Sequence, residues 1–299
     1  MKNQVMSLRS ARGVANRPRR LEAPGFEVAF LRPELIGGGM DPFLQIDAFA
    51  LAEPVFKPHP HAGFNAVTYL LPESPQGFIN RDSLGTRRRI APGALHWTTA
   101  GSGIIHEEVP EVRGIAVLGL QVFINLPAAR KHMAPGFLHL EPEAVPVVSR
   151  DGATIRVVSG ESNGAVSPLV TPTPGVRLVD VTLQPRAVFE QELTADENAF
   201  AWLFNGSATI AAGSGGEVLR TFDLVGFELD GTRVRLQAGA AGARLVLCAG
   251  PPLGEPIAAS GPFVMSTPEE LERAYADYAS GRLGQLSASA YRSDGGVAQ

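Results

Sequence analysis

Four of the chain's six histidines fall between Pro58 and Pro110. His59-Pro60-His61-Ala62-Gly63-Phe64 opens this stretch, and Gly103-Ile104-Ile105-His106-Glu107-Glu108 closes it. Pro92-Gly93-Ala94-Leu95-His96-Trp97 lies between them. In an extended strand, residues two apart share a face. His59 and His61 then point one way, and so do His106 and Glu108. Two such strands set side by side gather three imidazoles and a carboxylate around one point. That donor set suits a first-row transition metal: Fe, Mn, Ni, Cu or Zn. A lone His-x-His is more often an ordinary polar strand; the second pair and the glycine spacing are what sharpen the signal. By the same parity, Glu107 faces away from His106 and is expected in solvent. His132 and His139 sit in loop-like sequence and are expected at the surface.

The elements that must position these residues are short strands. They are expected at 66–71, 77–81, 86–90, 95–99, 104–109 and 119–126, after earlier ones at 27–32 and 42–47. Asp82-Ser83-Leu84-Gly85 reads as a hairpin turn, with Gly85 free to take a positive φ. In Arg87-Arg88-Arg89, alternation sets Arg88 on the opposite face from its neighbours. Residues 128–139 read as an irregular loop, and Glu141-Pro142-Glu143 as a linker. The basic start, with Arg9, Arg12, Arg17, Arg19 and Arg20, is read as a solvated terminus.

The second half repeats the pattern, with strands expected at 155–159, 176–183, 187–193, 199–204, 208–211, 223–229, 233–238 and 244–248. Asn205-Gly206 and Asp230-Gly231 fall between runs and read as hairpin signals. Phe200-Ala201-Trp202-Leu203-Phe204 invites comparison with Val67-Thr68-Tyr69-Leu70-Leu71, as if one β-domain were duplicated. His139 is the last histidine of the chain, so a histidine centre belongs to the first half. Thr267-Pro268-Glu269-Glu270 is a capping box that starts a helix, and Gly281 is placed to stop it. That helix is expected to pack on a β-domain.

A chain of 299 residues can hold two domains, each with its own core. Its 33 Gly and 24 Pro favour short strands and tight turns over long helices. Charged residues are 19% and the formal net charge is -4, which gives no sign of a nucleic-acid partner or an anionic membrane surface. The single cysteine, Cys248, lies in an apolar run and reads as a buried thiol. No apolar run approaches the ~20 residues of a membrane span. The first twenty residues or so lack the apolar centre of a secretory signal, so a soluble cytoplasmic protein is expected.

The motifs also resemble those of the pirin family. The matches are His59-Pro60-His61-x-Gly63-Phe64, Arg81-Asp82-Ser83-Leu84-Gly85, Pro92-Gly93 and Thr99-Ala100-Gly101-x-Gly103-Ile104-x-His106-x-Glu108. Asn125-Leu126-Pro127-Ala128 and Gly261-Pro262-Phe263-Val264-Met265 are similar to later family segments, so the likeness runs from about Asp41 to about Gly284. Many short antiparallel strands fit a jelly-roll barrel of the cupin type, and the resemblance implies two in tandem. The expected architecture is all-β: an N-terminal metal-binding barrel over 1–140, then a second barrel without a metal over 141–299, ending in the short helix.

By the resemblance, His59, His61, His106 and Glu108 are the metal ligands, and the ion is one divalent transition metal. Iron(II) is the first choice, with Ni, Cu, Mn, Co and Zn also admitted. Some pirins resemble quercetin 2,3-dioxygenases, which open a flavonol heterocycle with O₂ and release carbon monoxide. That implies a small aromatic substrate, O₂ as co-substrate and Glu108 as catalytic base. Phe64, Trp97 and Phe123 are candidate aromatic walls. The competing expectation is a metal-dependent regulator that binds a transcription factor or a metabolic enzyme. The sequence departs from the family at three places: Ala62 where Arg is usual, Asn65 where Glu is usual, and His96 where Gln is common. His96 is expected beside the centre without binding the ion.

Overall fold

The computed structural model describes residues 7–16, 20–211 and 216–286. The chain forms two compact units whose sequences interleave. One comprises 20–30, 43–142 and 254–299; the other comprises 1–19, 31–42 and 143–253. The chain first lays down β1 (Ala11–Ala15), which belongs to the second of these units.

The unit that holds the histidines then runs β2 (Arg20–Ala23), β3 (Phe26–Leu31), β4 (Phe43–Leu51), β5 (His59–His61), β6 (Phe64–Leu70), β7 (Phe78–Asp82), β8 (Arg87–Ile90), β9 (Leu95–Thr99), β10 (Ile104–Pro110), β11 (Val117–Asn125) and β12 (Gly136–Leu140). A seven-stranded sheet has the order β12-β9-β6-β11-β4-β3-β2, and a four-stranded sheet the order β5-β10-β7-β8. The two pack face to face through Phe49, Leu51 and Leu70 against Phe78 and Ile90, with the Phe49 and Phe78 rings stacked at 5.6 Å. Strands β6 and β9 bury every residue, so each polar side chain on them needs a partner inside. The hairpin at Asp82–Gly85 forms as expected: Asp82 Oδ1 accepts from Leu84 N at 2.9 Å and Thr86 N at 3.1 Å, and Gly85 has φ 84°.

The second unit adds β13 (Val147–Arg150), β14 (Ala153–Ser159), β15 (Glu161–Ser162), β16 (Ala165–Val166), β17 (Arg177–Leu183), β18 (Val188–Glu192), β19 (Asn198–Ile210), β20 (Glu217–Arg220), β21 (Leu224–Phe227) and β22 (Arg233–Gly250). Their main sheet has the order β1-β21-β19-β22-β17-β14-β13. Asn205-Gly206, expected to turn a hairpin, instead lies inside the continuous β19, where the register shifts on both sides of it. The dipeptide makes a bulge that bends one long strand. The strands expected at 233–238 and 244–248 likewise merge into β22. An apolar cluster that includes Phe189, Leu203, Phe227, Leu236 and Leu247 fills its core.

The two ends of the chain depart from the expected 1–140 and 141–299 division. β1 pairs with β21 in the second unit, and Arg9, expected in solvent, is fully buried there. Its guanidinium donates to Gly231 O at 2.9 Å, Glu197 O at 2.6 Å and Thr194 O at 2.6 Å. Three backbone acceptors hold a buried cation that composition alone assigned to water. Arg12 pairs with Glu228 at 3.3 Å, Arg20 with Glu27 at 2.9 Å, and Arg17 and Arg19 lie outside the described residues.

At the other end, β23 (Ala258–Ser260), β24 (Phe263–Met265) and α1 (Pro268–Ala279) join the histidine unit. Ala274, Leu271, Phe263 and Met265 cover Ala62 and Ile105 on the outer side of β5 and β10. The capping box forms. Thr267 Oγ1 accepts from Glu270 N at 3.2 Å, and Glu270 Oε2 accepts from Ser266 N at 3.0 Å. Thr267→Ala is expected to cost about 1 kcal/mol in urea denaturation through loss of this cap. An unchanged midpoint would show that the helix end needs no side-chain acceptor. No helix among the described residues is long and apolar enough to cross a membrane.

Candidate metal centre

The register of two strands builds the centre. β5 and β10 run antiparallel with His106 opposite His59 and Ile104 opposite His61. Two-residue spacing turns His59, His61 and His106 to one face, with ring centroids 4.7 to 4.9 Å apart. One ligand nitrogen from each lies within 4.8 Å of the others. Gly63 lets the chain leave β5 at φ 81°, where a Cβ would stand 1.9 Å from the Val264 carbonyl oxygen. Gly103, at φ 132°, admits β10 beneath Leu283 in the same way.

Two of the imidazoles are held by an oxygen on their outer side. His59 Nδ1 is 2.9 Å from Lys57 O, and His106 Nδ1 is 3.2 Å from Asn80 Oδ1. His61 Nδ1 is buried without a hydrogen-bond partner, with the Pro262 backbone beside the ring. These oxygens only accept, so the proton sits on the held nitrogen and the other carries a bare lone pair. Burial pushes His61 down to about 3, lowers His59, and lowers His106 further with the help of its histidine neighbours. Three neutral imidazoles, two of them with tautomers set from outside, suit a divalent ion, and the residues fit one.

Glu108 lies outside the group of three. Its Oε1 accepts from Thr68 Oγ1 at 2.5 Å, and Thr68 Oγ1 is also 2.9 Å from Gln121 Oε1. Burial raises the Glu108 carboxyl to about 7, and the Thr68 bond pulls it partly back. A hydroxyl has one proton. With Glu108 ionised, Thr68 donates to it; with Glu108 protonated, Glu108 donates to Thr68 and Thr68 to Gln121.

Above the histidines is a cavity of about 260 Å³, near the low end of small-molecule sites at roughly 300–1,000 Å³. Phe30, Phe49, Phe78 and Phe123 line it, Asp47 and Gln121 supply polar atoms, and Leu21 and Phe56 stand half-exposed among the lining residues. Of the expected walls, Phe123 lines the cavity, Phe64 packs behind the His61 ring at 5.1 Å, and Trp97 is core. Sequence reasoning missed Phe30, Phe49 and Phe78, as well as Asp47. Asp47 had a signal, a carboxylate at the end of an apolar strand run.

Several expectations are corrected. Glu107 is buried, not solvated, because Arg81 Nε donates to its Oε2 at 2.6 Å on the outer face of the small sheet. His139 is not in a loop: the stretch read as irregular contains β12, and His139 sits opposite His96 in the ladder. His132 is half-exposed and bonds Glu270 at 2.9 Å. Ala62 packs in the apolar cluster under Phe263, while Asn65 donates to Ile124 O at 3.1 Å and accepts from Thr99 at 3.0 Å. Arg89 is the arginine of its trio that meets an acid, Glu111, at 2.6 and 2.9 Å. His96 is fully buried on the inner face, directly across the ladder from Thr68, and stands outside the group of three.

Lys131 anchors the turn behind the centre. Its buried Nζ donates to Gly63 O at 2.8 Å, Asn125 Oδ1 at 2.6 Å and Val264 O at 3.0 Å.

The family model described as Pirin matches residues 38–124, and the one described as Pirin C-terminal cupin domain matches residues 178–284. Pirin-like protein 2 of Arabidopsis thaliana is 37% identical over 265 residues, covering 85% of this chain and 79% of that protein. Among solved structures, quercetin 2,3-dioxygenase from Acinetobacter baumannii superposes with a TM-score of 0.82 at 22% identity, covering 94% of this chain and all of that one. The bacterial pirin YhhW of Escherichia coli, in complex with nickel(II), gives 0.62 at 17% identity, covering 82% of this chain and all of that one. At these identities the two likenesses bear on the fold.

Proposed function

This chain belongs to the pirin family, a tandem of cupin domains, and from that premise we propose that it is a metal-dependent dioxygenase cleaving flavonols such as quercetin. One observation carries the reading: three neutral imidazoles turn bare lone pairs to one point beneath a phenylalanine-lined cavity, beside a carboxylate whose pKa is raised to about 7. The Acinetobacter neighbour is a quercetin 2,3-dioxygenase, and the E. coli pirin is in complex with nickel(II), which supports a divalent ion and a flavonol.

His59, His61, His106 and Glu108 would hold the ion, with iron(II) first and the other divalent first-row ions compatible with the same donors. When bound, such an ion acidifies a coordinated hydroxyl and brings it together with O₂. The protein does the rest. Phe30, Phe49, Phe78 and Phe123 receive the flat rings and keep water away. Glu108 takes the proton of the flavonol 3-hydroxyl, donates it onward to Thr68 Oγ1, and Thr68 turns its own proton to Gln121.

Metal analysis of purified protein, alongside O₂ uptake and carbon monoxide release with quercetin, tests the reading. Glu108→Gln is expected to keep a metal on the three histidines and lose roughly 10²–10⁴-fold in turnover. Metal-loaded wild type that consumes neither quercetin nor O₂ would instead favour the regulator of a transcription factor or metabolic enzyme.

A further inference from the structure

Apart from the three histidines and Glu108, the polar residues lining the cavity are Asp47 and Gln121. They belong to one row across the large sheet. Asp47 on β4 lies directly opposite Gln121 on β11, and Gln121 directly opposite Thr68 on β6. Residues so paired share a face, with Cβ atoms roughly 4.5–5.5 Å apart. The row therefore starts at the Thr68–Glu108 contact and ends at Asp47, two strands or about 10 Å along the sheet. Asp47 and Gln121 are both half-buried, and both face the cavity.

The hydrogen bonding of this row leaves a donor unmet beside an acceptor. Thr68 Oγ1 is 2.9 Å from Gln121 Oε1, which turns the amide nitrogen away from Thr68. Gln121 Nε2 has no hydrogen-bond partner among the described residues, so it does not donate to Asp47 across the ladder. Asp47 Oδ2 accepts from Gln45 Nε2 at 3.1 Å, but two carboxyl oxygens can accept from more than one donor. An amide N–H and a carboxylate are thus neighbours on a wall otherwise built of phenylalanine and aliphatic side chains. A hydroxyl is the small group that meets both, because it accepts from one and donates to the other. A carboxylate would be repelled by Asp47, an ether could not donate to it, and an apolar edge would leave Nε2 unmet.

We propose that Asp47 and Gln121 are the specificity-determining pair of this cavity and take a second hydroxyl of the ligand. Gln121 Nε2 donates to that hydroxyl oxygen, and the hydroxyl donates to the Asp47 carboxylate. The ligand is a flat aromatic with hydroxyls at two ends, one reaching Glu108 and the other reaching Asp47 two strands away. The phenylalanines hold the rings but do not distinguish one ring substituent from another, so selection falls to this pair. Anionic aromatics are refused. The hydroxyl site rests on the row alone; naming its ligand a polyhydroxylated flavonol rests on the function proposed above.

The test uses full-length protein loaded with zinc, titrated with quercetin and with 3-hydroxyflavone, which keeps only the 3-hydroxyl. Wild type is expected to bind quercetin roughly 10–100-fold more tightly, the range of one hydrogen bond to a charged group. Asp47→Leu should bring the two ligands to equal affinity by weakening quercetin alone. Asp47→Asn, which keeps the shape and an acceptor oxygen but loses the charge, should fold as wild type does and show a reduced preference. An undiminished preference in either variant, or none in wild type, would overturn the selection role. A second arm is independent of flavonols. The side-chain amide NMR signals of Gln121, assigned through Gln121→Leu, should move when phenol is added and stay in place with anisole. Phenol that leaves them in place would overturn the hydroxyl site. Wild type that binds neither flavonoid while phenol moves those signals would sink the flavonol reading and keep the site for another phenol.

Discussion

His106→Ala is expected to leave the barrel folded and strip it of its metal. His106 sits opposite His59 in the ladder, with its outer nitrogen held by Asn80 Oδ1 at 3.2 Å, so its lone pair is committed to the centre. Two imidazoles on a three-residue strand cannot enclose an ion. The loss should exceed the roughly 10–100-fold that removal of an outer hydrogen-bond partner costs. Asn80→Leu gives that smaller step within the same series, since it frees the His106 ring without removing it. His96→Gln, away from the three lone pairs, should bind metal as wild type does. Equilibrium dialysis with metal quantitation reads all three. A stoichiometric ion in His106→Ala, at wild-type affinity, would move the centre elsewhere.

Lys131→Met is expected to lower stability by roughly 3 kcal/mol or more. The ammonium is buried and bonded to three neutral oxygens: two backbone carbonyls and the Asn125 amide. Methionine fills much of the same volume but leaves all three acceptors unmet, each at roughly 1–3 kcal/mol. The relief of no longer burying a cation offsets part of that cost. Burial also lowers the Lys131 pKa from 10.5 to about 8, against the pull of Glu255 and Glu270. Between those values the unfolded chain holds the proton and the folded one releases it, so this residue makes stability rise with pH there. Urea denaturation should show both the loss and, in Lys131→Met, the missing alkaline rise. A variant within about 1 kcal/mol of wild type would mean that the Gly63 turn is held without the ammonium.

Local spacing carried most of what could be read in advance. Parity alone placed His59, His61 and His106 on one face, because a strand fixes the direction of every second side chain. The Thr267 cap was legible for the same reason, since its partners lie within one turn. What escaped depends on neighbours distant in sequence. Glu107 reads as solvated until β7 brings Arg81 beside it, and His139 reads as a loop residue until β9 supplies a ladder. Arg9 finds its acceptors more than 180 residues away. Asn205-Gly206 gives a true local signal, a positive φ at Gly206 of 79°, but a bulge and a hairpin use the same dipeptide. The Phe30, Phe49 and Phe78 walls are invisible in sequence because an inward phenylalanine looks the same whether it fills a core or lines a cavity.

The exchange of chain ends sets a schedule for synthesis on the ribosome. Strands β5 and β10 are made early, yet Phe263, Met265, Leu271 and Ala274, which cover their outer side, come from the last fifth or so of the chain. At about 5–20 residues per second the histidine strands wait roughly 10–30 s for that cover. Lys131 meets the same delay, since one of its three acceptors is Val264 O. The nascent first barrel therefore leaves the exit tunnel half-dressed, with Ala62 and Ile105 facing water. The strands that carry the histidines are therefore made before most of those of the second unit but covered only after them.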